Sequence, residues 1–348
     1  MAILAAPFVV TQWPMRPSAA DATVILARAA RSGTVPFTGY AESTGTLPMP
    51  DTDILAATAH LLGDTNRLRV WWASATRYRV DELRTGGELD TYVDGGAVTR
   101  WDSDARSVTT LGGFTGPRLP QAPDLTPAEL GRRVLADAQS GAVRIAGSER
   151  IAGRAAAALE VTANDDRSMI RAARVWVDDA TGVPLRVAVT SRDGTVALQS
   201  SFRDVRFSAP DAAALSFTAP PDASYEDVPR VDVQELIERH GSPVHLPPAL
   251  AGLHLRPAGT AGLTEYGGGF VRLWVLPLSA GDLYRLRSHY LSKGQEPQHM
   301  PYGDLLVITS PLVTAALVQT PAGSFAVAGT VTPAVVDTVA AAVAGGAP

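Results

Sequence analysis

Cysteine is absent from all 348 residues. That excludes disulfides, thiolate metal ligands, a thiol nucleophile and a lipid-modified N-terminal cysteine in this chain. Lysine is nearly absent too: Lys293 is the one lysine among 30 basic residues, and the arginines are scattered rather than clustered. With a net charge of −5 and no basic cluster, the chain lacks the concentrated positive surface that nucleic acid requires, so no nucleic-acid partner is expected. Catalytic signatures are missing as well. There is no phosphate-binding Gly-rich loop with Lys, no metalloprotease His pair, no nucleophile elbow and no dinucleotide fingerprint, so the expectation is a non-enzyme without cofactor. Of the six histidines only His240 and His245 lie close together. They sit in a Pro-rich stretch without the helix or strand spacing that converges ligands on a metal. The acidic pairs Asp165-Asp166, Asp178-Asp179 and Asp102/Asp104 fall in turns, where Asp bonds its local backbone.

What is present is a long series of strands. From Val143 to Phe207 five runs follow one another, broken at Ala152-Gly153, Asn164 to Asp166, Asp179 to Gly182 and Asp193-Gly194. One parity in them is apolar (Leu159 and Val161; Val175 and Val177; Leu185, Val187 and Val189), the other polar or small. Period-two alternation between turn signals marks antiparallel strands with one buried face. Asp193-Gly194 predicts a type I′ turn, whose two central residues both take positive φ. An earlier meander has the same character, with strands at Phe37 to Ser43, Arg67 to Ala73, Arg77 to Leu83, Glu88 to Asp94, Ala97 to Asp102 and Arg106 to Leu111. Its apolar parity is Leu68, Val70 and Trp72, then Tyr78 and Val80, then Leu89 and Val93.

Helices are signalled between the strands. Ser18 to Arg31 carries an N-cap and a Gly33 stop; Leu47 to Asn66 holds a short helix ending at Gly63; Thr126-Pro127-Ala128-Glu129 is a capping box opening a helix to about Gln139. A sheet this long needs its apolar face covered. The expected fold is therefore mainly β with α: a curved antiparallel half-barrel sheet covered by helices, plus a small α+β unit at the C-terminal end. The expected divisions are residues 18–220 for the half-barrel, 221–250 for a Pro-rich linker with a short helix, and 251–348 for the small unit. Residues 1–17 are set apart. Met1 to Val10 has the length of a signal-peptide apolar core without the basic stretch before it. Two readings stand, the remnant of an export or anchor segment, which is preferred, and a packed N-terminal strand.

The aromatics crowd the first meander: Trp71, Trp72, Tyr78, Tyr92 and Trp101. Either they fill a core or they line an apolar cavity for an acyl chain, with Phe114 in a Gly/Pro loop as its lid. The ligand-binding candidates on that second reading are Leu68, Val70, Trp72, Tyr78, Val80, Phe114, Val175, Val177 and Val187.

Several stretches resemble a known family. They are Arg67-Leu68-Arg69-Val70-Trp71-Trp72, Tyr78-Arg79-Val80-Asp81, Asp90-Thr91-Tyr92 and Trp101-Asp102-Ser103, then Trp176-Val177-Asp178 with Thr181-Gly182-Val183-Pro184-Leu185. In that order they are similar to the N-terminal domain of RseB/MucB-like proteins, which shares the LolA-type lipoprotein-carrier fold. Phe325 to Pro333 resembles the close of the RseB C-terminal domain. The resemblance implies a regulator in the cell envelope, outside the cytoplasmic membrane and anchored at its N-terminus if the export segment is retained. Its partner would be a membrane anti-sigma factor or another membrane protein, with lipid or lipoprotein as the sensed signal. The alternative it implies is a LolA-type carrier of lipoprotein acyl chains or another hydrophobic ligand.

Overall fold

The computed structural model of the protein describes residues 20–47, 56–112, 119–136, 138, 143–226, 246–256, 264–321 and 323–345. The first meander comprises β1 (Phe37–Gly45), β2 (Thr65–Ser74), β3 (Arg77–Leu83), β4 (Glu88–Asp94), β5 (Ala97–Asp102) and β6 (Ser107–Gly112). The second comprises β7 (Val143–Ile151), β8 (Arg154–Thr162), β9 (Ile170–Asp178), β10 (Pro184–Ser191) and β11 (Val196–Arg206). β1 pairs with β2 along one edge and with β11 along the other, so the two meanders are a single sheet. A short β12 (Ser224–Glu226) joins β6 in parallel and completes twelve strands, in the order β12-β6-β5-β4-β3-β2-β1-β11-β10-β9-β8-β7. The sheet is curved and open.

Both apolar parities face one core. Leu68, Val70, Trp72 and Val80 share a cluster with Leu159, Val161, Val175, Val177, Val187 and Val189. Each such side chain gains about 1.5–3 kcal/mol on burial, so the face cannot be left wet. Two helices cover it. α1 (Ala22–Arg31) contributes Ile25 and Ala29, four residues apart and hence on one side of the helix. Its N-cap is Asp21, and the Ser18 expected there lies outside the described residues. A third helix, α2 (Ala56–Gly63), ends against β1; the Asp51 or Asp53 expected to cap it is also outside them. In α3 (Pro127–Ala136) the Thr126 hydroxyl accepts the Glu129 N–H at 3.4 Å, one half of the expected capping box, while the Thr126 N–H donates to the Pro123 carbonyl and the Glu129 carboxylate takes Arg132 and Arg133 instead.

The segment Asp178 to Leu185 joins the sheet to both helices. The Asp178 carboxylate accepts the N–H and the hydroxyl of Thr181, at 2.8 and 2.7 Å, and pairs with Arg154 at 2.6 Å. Gly182 (φ 78°) lies against α1: a Cβ there would fall 2.8 Å from the Cβ of Arg28. The Arg28 side chain returns a bond to the Asp179 carbonyl at 2.8 Å. Pro184 packs on Gly131 of α3, where an added Cβ would lie 2.4 Å away. Glycine inside a helix costs about 0.5–1 kcal/mol; here it lets helix and sheet touch.

The Asp193-Gly194 turn differs from expectation. Gly194 has φ 94°, but Asp193 is not among the positive-φ residues, so the turn is not type I′. The Asp193 carboxylate instead accepts bonds from Ser191 Oγ and from both the N–H and hydroxyl of Thr195. These bonds hold it down at about 2. Positive φ at both central positions occurs at Gly95-Gly96 and Ala152-Gly153.

After β11 the chain crosses the outer face of the sheet through a 3₁₀ turn (Ala212–Leu215) and sets Phe217 on Tyr92 and Trp101, at 5.3 and 6.0 Å, before forming β12. The short helix expected at Asp232 to His240 lies outside the described residues. Next come a two-residue pair, β13 (Ala249–Leu250) and β14 (Leu253–His254), and then β15 (Thr264–Gly268) and β16 (Val271–Leu278). α4 (Ala280–Leu291), β17 (Gln298–Met300), β18 (Gly303–Thr309), β19 (Thr314–Thr320), β20 (Gly323–Gly329) and α5 (Pro333–Ala344) complete the chain. β15 to β20 form a six-stranded sheet in the order β15-β16-β20-β19-β18-β17. α5 packs Val336, Val339 and Val343 on one face, against Leu305, Val318 and Val327. α4, capped by Ser279, packs Leu283 and Tyr290 against Leu306 and Leu317 on the other. Among the described residues no helix is long and apolar enough to cross a membrane.

The Gly131–Pro184 contact makes a specific prediction. Gly131→Val should lower the urea midpoint of unfolding by an amount equal to about 1–3 kcal/mol, the usual cost of overpacking. Val24→Ala, at a position 44% exposed on α1, should stay within about 0.5 kcal/mol.

Candidate functional site

Eight of the nine sequence-predicted ligand residues gather on the core face. Leu68, Val70, Trp72, Tyr78, Val80, Val175, Val177 and Val187 are all buried, at 8% exposure or less, within one cluster. The ninth, Phe114, and the Gly/Pro loop that holds it lie outside the described residues.

Register explains how the aromatics meet. Phe37, Trp72, Tyr78 and Val93 are directly opposed across β1, β2, β3 and β4. Trp72 stacks on Tyr78 at 4.7 Å and on Phe37 at 6.0 Å, and Phe202 meets Phe37 edge-on at 5.6 Å. The Arg132 guanidinium of α3 lies 4.7 Å from the Trp72 ring, and the indole N–H donates to the Gly33 carbonyl at 2.9 Å. Between β3 and β5 the apolar parity gives way: half-buried Leu89 sits opposite Glu82 on one side and Asp102 on the other, both held by Arg84. Ser43 and Thr91 are fully buried, and their hydroxyls have no hydrogen-bond partner.

A second candidate lies where the two sheets meet. The loop after β8 meets the chain just beyond β20 in a single antiparallel bridge, Ser168 to Val331. Met169 N–H donates to the Thr330 carbonyl at 2.9 Å, and Thr332 N–H to the Arg167 carbonyl at 2.8 Å. The Ser168 hydroxyl donates to the Phe270 carbonyl at 2.9 Å. Arg167 is clamped by Asp165 at 2.7 Å and donates to the Ala251 carbonyl at 3.0 Å. Hydrogen bonds from Arg167 keep the Asp165 carboxyl below its ordinary range. Beside this joint opens a cleft of about 520 Å³ lined by Asn164, Asp165, Arg167, His254, Arg256 and Phe270 among others. That volume suits a small molecule or a few peptide residues.

Sequence reasoning did not find this cleft, whose walls come from loops far apart in the chain. Two signals did mark its parts. The Asp165 turn is one; the other is Gly267-Gly268-Gly269, which forms the β15–β16 hairpin with φ 83° at Gly267 and 57° at Gly269. His240 and His245 lie outside the described residues.

Residues 119–232 match the family model of the MucB/RseB N-terminal domain. Among solved structures, a chain of the Pseudomonas aeruginosa MucA/MucB complex aligns at 18% identity over 92% of this chain and 97% of that one, with a TM-score of 0.52. MucB in complex with MucA(peri) aligns at 19% identity over 92% and 97%, with a TM-score of 0.50. A LolA superfamily protein from Nitrosomonas europaea aligns at 13% identity over 57% of this chain and 99% of its own, and its TM-score of 0.28 is too low to carry an argument. No curated protein matches.

Trp72 ties both covering segments to the sheet, through Arg132 of α3 and Gly33 after α1. Trp72→Ala should cost about 3–5 kcal/mol in urea unfolding, as large aromatic truncations do. A cost below about 1 kcal/mol would show that the aromatic row borders open space rather than packed side chains.

Proposed function

From a chain that carries a MucB/RseB N-terminal domain on the MucB fold, we propose a non-enzymatic regulator of the cell envelope that binds a membrane anti-sigma factor outside the cytoplasm. The observation that carries this reading is the second sheet. The likeness to the MucA/MucB complex spans 97% of the matched chain, second sheet included, whereas a LolA-type carrier needs only the half-barrel. In that complex MucB is joined to MucA; a segment of that kind is the partner class assigned to this chain. The cleft at the joint is its seat, where Arg256, half-exposed and 3.6 Å from Glu265, would pair with an acidic side chain while extended backbone lies along the loops.

Lipid or lipoprotein enters this reading as a competing signal. An acyl chain would reach Leu68, Val70, Trp72, Tyr78, Val80, Val175, Val177 and Val187 only by lifting α1 and α3 from the sheet. The unpaired Ser43 and Thr91 hydroxyls on that face favour a ligand with polar groups over a pure hydrocarbon. We further read residues 18–220 and 251–348 as two folding units joined by 221–250. Limited proteolysis of the intact chain should then cut first between Pro220 and Pro248, and first cleavage inside β7 to β11 would sink that division.

Calorimetric titration with the extracytoplasmic segment of an anti-sigma factor from the same cell tests the main reading. Saturable binding is expected, weakened at least tenfold by Arg256→Glu, with lysolipids competing more strongly as their chains lengthen because each CH₂ adds about 0.8 kcal/mol. Failure of the folded chain to bind any such segment would overturn the regulator. Binding indifferent to lysolipid would remove only the lipid signal.

A further inference from the structure

The outer face of the first meander holds a charged cluster beside an apolar strap. Asp81, Glu88 and Asp90 place carboxylate oxygens within 4.8 Å of one another. Two of the three are out of water, Asp81 at 0% and Asp90 at 3% exposure. Arg79 holds Asp81 at 2.6 Å through Nε and Asp90 at 2.9 Å through Nη2. Arg69 reaches Asp81 at 3.5 Å and pairs closely with Glu88. Arg79 is itself sandwiched between the rings of Trp71, at 4.8 Å, and Tyr92, at 4.7 Å.

Two guanidiniums thus face three carboxylates. Fully ionised, the cluster keeps one negative charge over, and the buried Oδ1 of Asp90 has no hydrogen-bond partner to spread it. An uncompensated buried charge is costly, and a shared proton is the least expensive remedy.

The strap reaches this cluster through Tyr92, whose ring lies between Phe217 and Arg79. Phe217 covers Tyr92 and Trp101, and Trp101 stands opposite Asp90 in the β4–β5 register. Residues 212–221 (AAALSFTAPP) contain no charged side chain, so the strap offers nothing to neutralise the excess. Its far end is tied down separately. Arg106 pairs with Asp222, and the Ser224 N–H donates to the Arg106 carbonyl at 3.0 Å ahead of β12. The tyrosines nearby stay neutral: burial pushes Tyr92 well up, and burial followed by the Glu42 charge raises Tyr40, which flanks Arg69 in register.

We propose that the Asp81–Asp90 pair is a proton-operated latch: with one proton shared, the strap lies closed over Tyr92 and Trp101, and with the proton lost the strap lifts and bares this aromatic–arginine face. The electrostatics agree with the geometry. Burial first, and then the charge of Asp81, push the Asp90 carboxyl up to about 7, and Asp81 is raised in the same way by burial. A carboxyl raised in the closed state favours closure most below the ordinary carboxylate range. That contribution is lost as pH rises toward 7 and is gone above it.

Hydrogen exchange of the strap in the full chain, corrected for intrinsic rates, tests the latch between pH 5 and 8.5. Its opening constant should rise by up to about tenfold per pH unit up to about pH 7 and then level, as one-proton linkage requires. Acrylamide quenching of tryptophan fluorescence should rise over the same window. Asp90→Asn, which imitates the protonated form, should keep the strap closed at every pH. Phe217→Ala should leave it open at every pH. A flat wild-type profile, or a wild-type slope surviving in either variant, would overturn the proposal. So would restoration of protection at pH 8 by millimolar calcium, which would assign the excess charge to a cation instead of a proton.

Discussion

The larger sheet depends on β1 having two partners. Without its pairing to β11, the meanders would be two smaller sheets, each with an apolar face too wide for the helices available. Pairing residues 37–45 with 198–206 brings together segments about 160 positions apart; such contacts close the longest loops and come last in entropic terms. β1 is built for the position. Gly45 lies so near the Leu62 carbonyl that a Cβ there would sit 2.0 Å from it, and Gly39 would meet the Phe202 ring at 2.9 Å. Small residues on the core side of β1 admit α2 at one end and the Phe202 ring at the other.

Once β1 is in place, the two faces of the sheet solve opposite problems. The core face excludes water with Leu68, Val70, Trp72 and Val175, and is closed by glycine contacts at Gly131 and Gly182. The outer face keeps its charges and must match them in pairs. Glu160 is shared by Arg144 and Arg174, and the hydrogen bond from Arg174 first of all keeps it below its ordinary range, while Glu149 serves Arg186. Trp176 lies within 6 Å of both Arg174 and Arg186, so arginine stems and the indole shield Ala158, which stands opposite Trp176 in register. Arginine serves here better than lysine would, because its planar group can stack and pair at once.

This division explains how much is legible in the sequence. Strands wetted on one side announce themselves by period two, and β3, β4, β5, β7 and β10 are readable to the residue. Short or edge elements carry no period: β12, β13, β14 and β17 are two or three residues long. The strap is opaque for a related reason, since only the position of Phe217 above Tyr92 gives Ala212 to Pro221 a role. Asp193-Gly194 misleads because Asp can organise a turn through its side chain as well as through positive φ. Parity finds the residues of the core face, but a filled core and an empty groove share one periodicity, and only packing distances such as 4.7 Å between Trp72 and Tyr78 tell them apart.

On the proposed function, the joint between the sheets would bear on binding in a way the core cannot. A packed core responds to a ligand only by unpacking, which the stacking of Phe37, Trp72 and Tyr78 resists. The joint combines backbone hydrogen bonds from residues 167 and 169 to Thr332 and Thr330 with the bond from the Ser168 hydroxyl to the Phe270 carbonyl, and Leu312, Phe270 and Val313 pack on the core cluster of the larger sheet. Arg167 adds a single side-chain bond to Ala251, in a hairpin whose turn holds φ 48° and 71°. A partner of the proposed kind, seated in the adjoining cleft, would touch both sides of that joint together. Its binding energy would then act on the relation between the sheets, whereas a ligand of the core face would act first on the helices. Two ligands addressing two different parts of the fold can oppose one another without sharing a site, provided that lifting α1 or α3 disturbs the β8–β9 loop. The contacts for this exist: the loop continues directly from β8 and β9, whose Leu159 and Val175 lie in the same core cluster as Ile25 of α1 and Leu135 of α3.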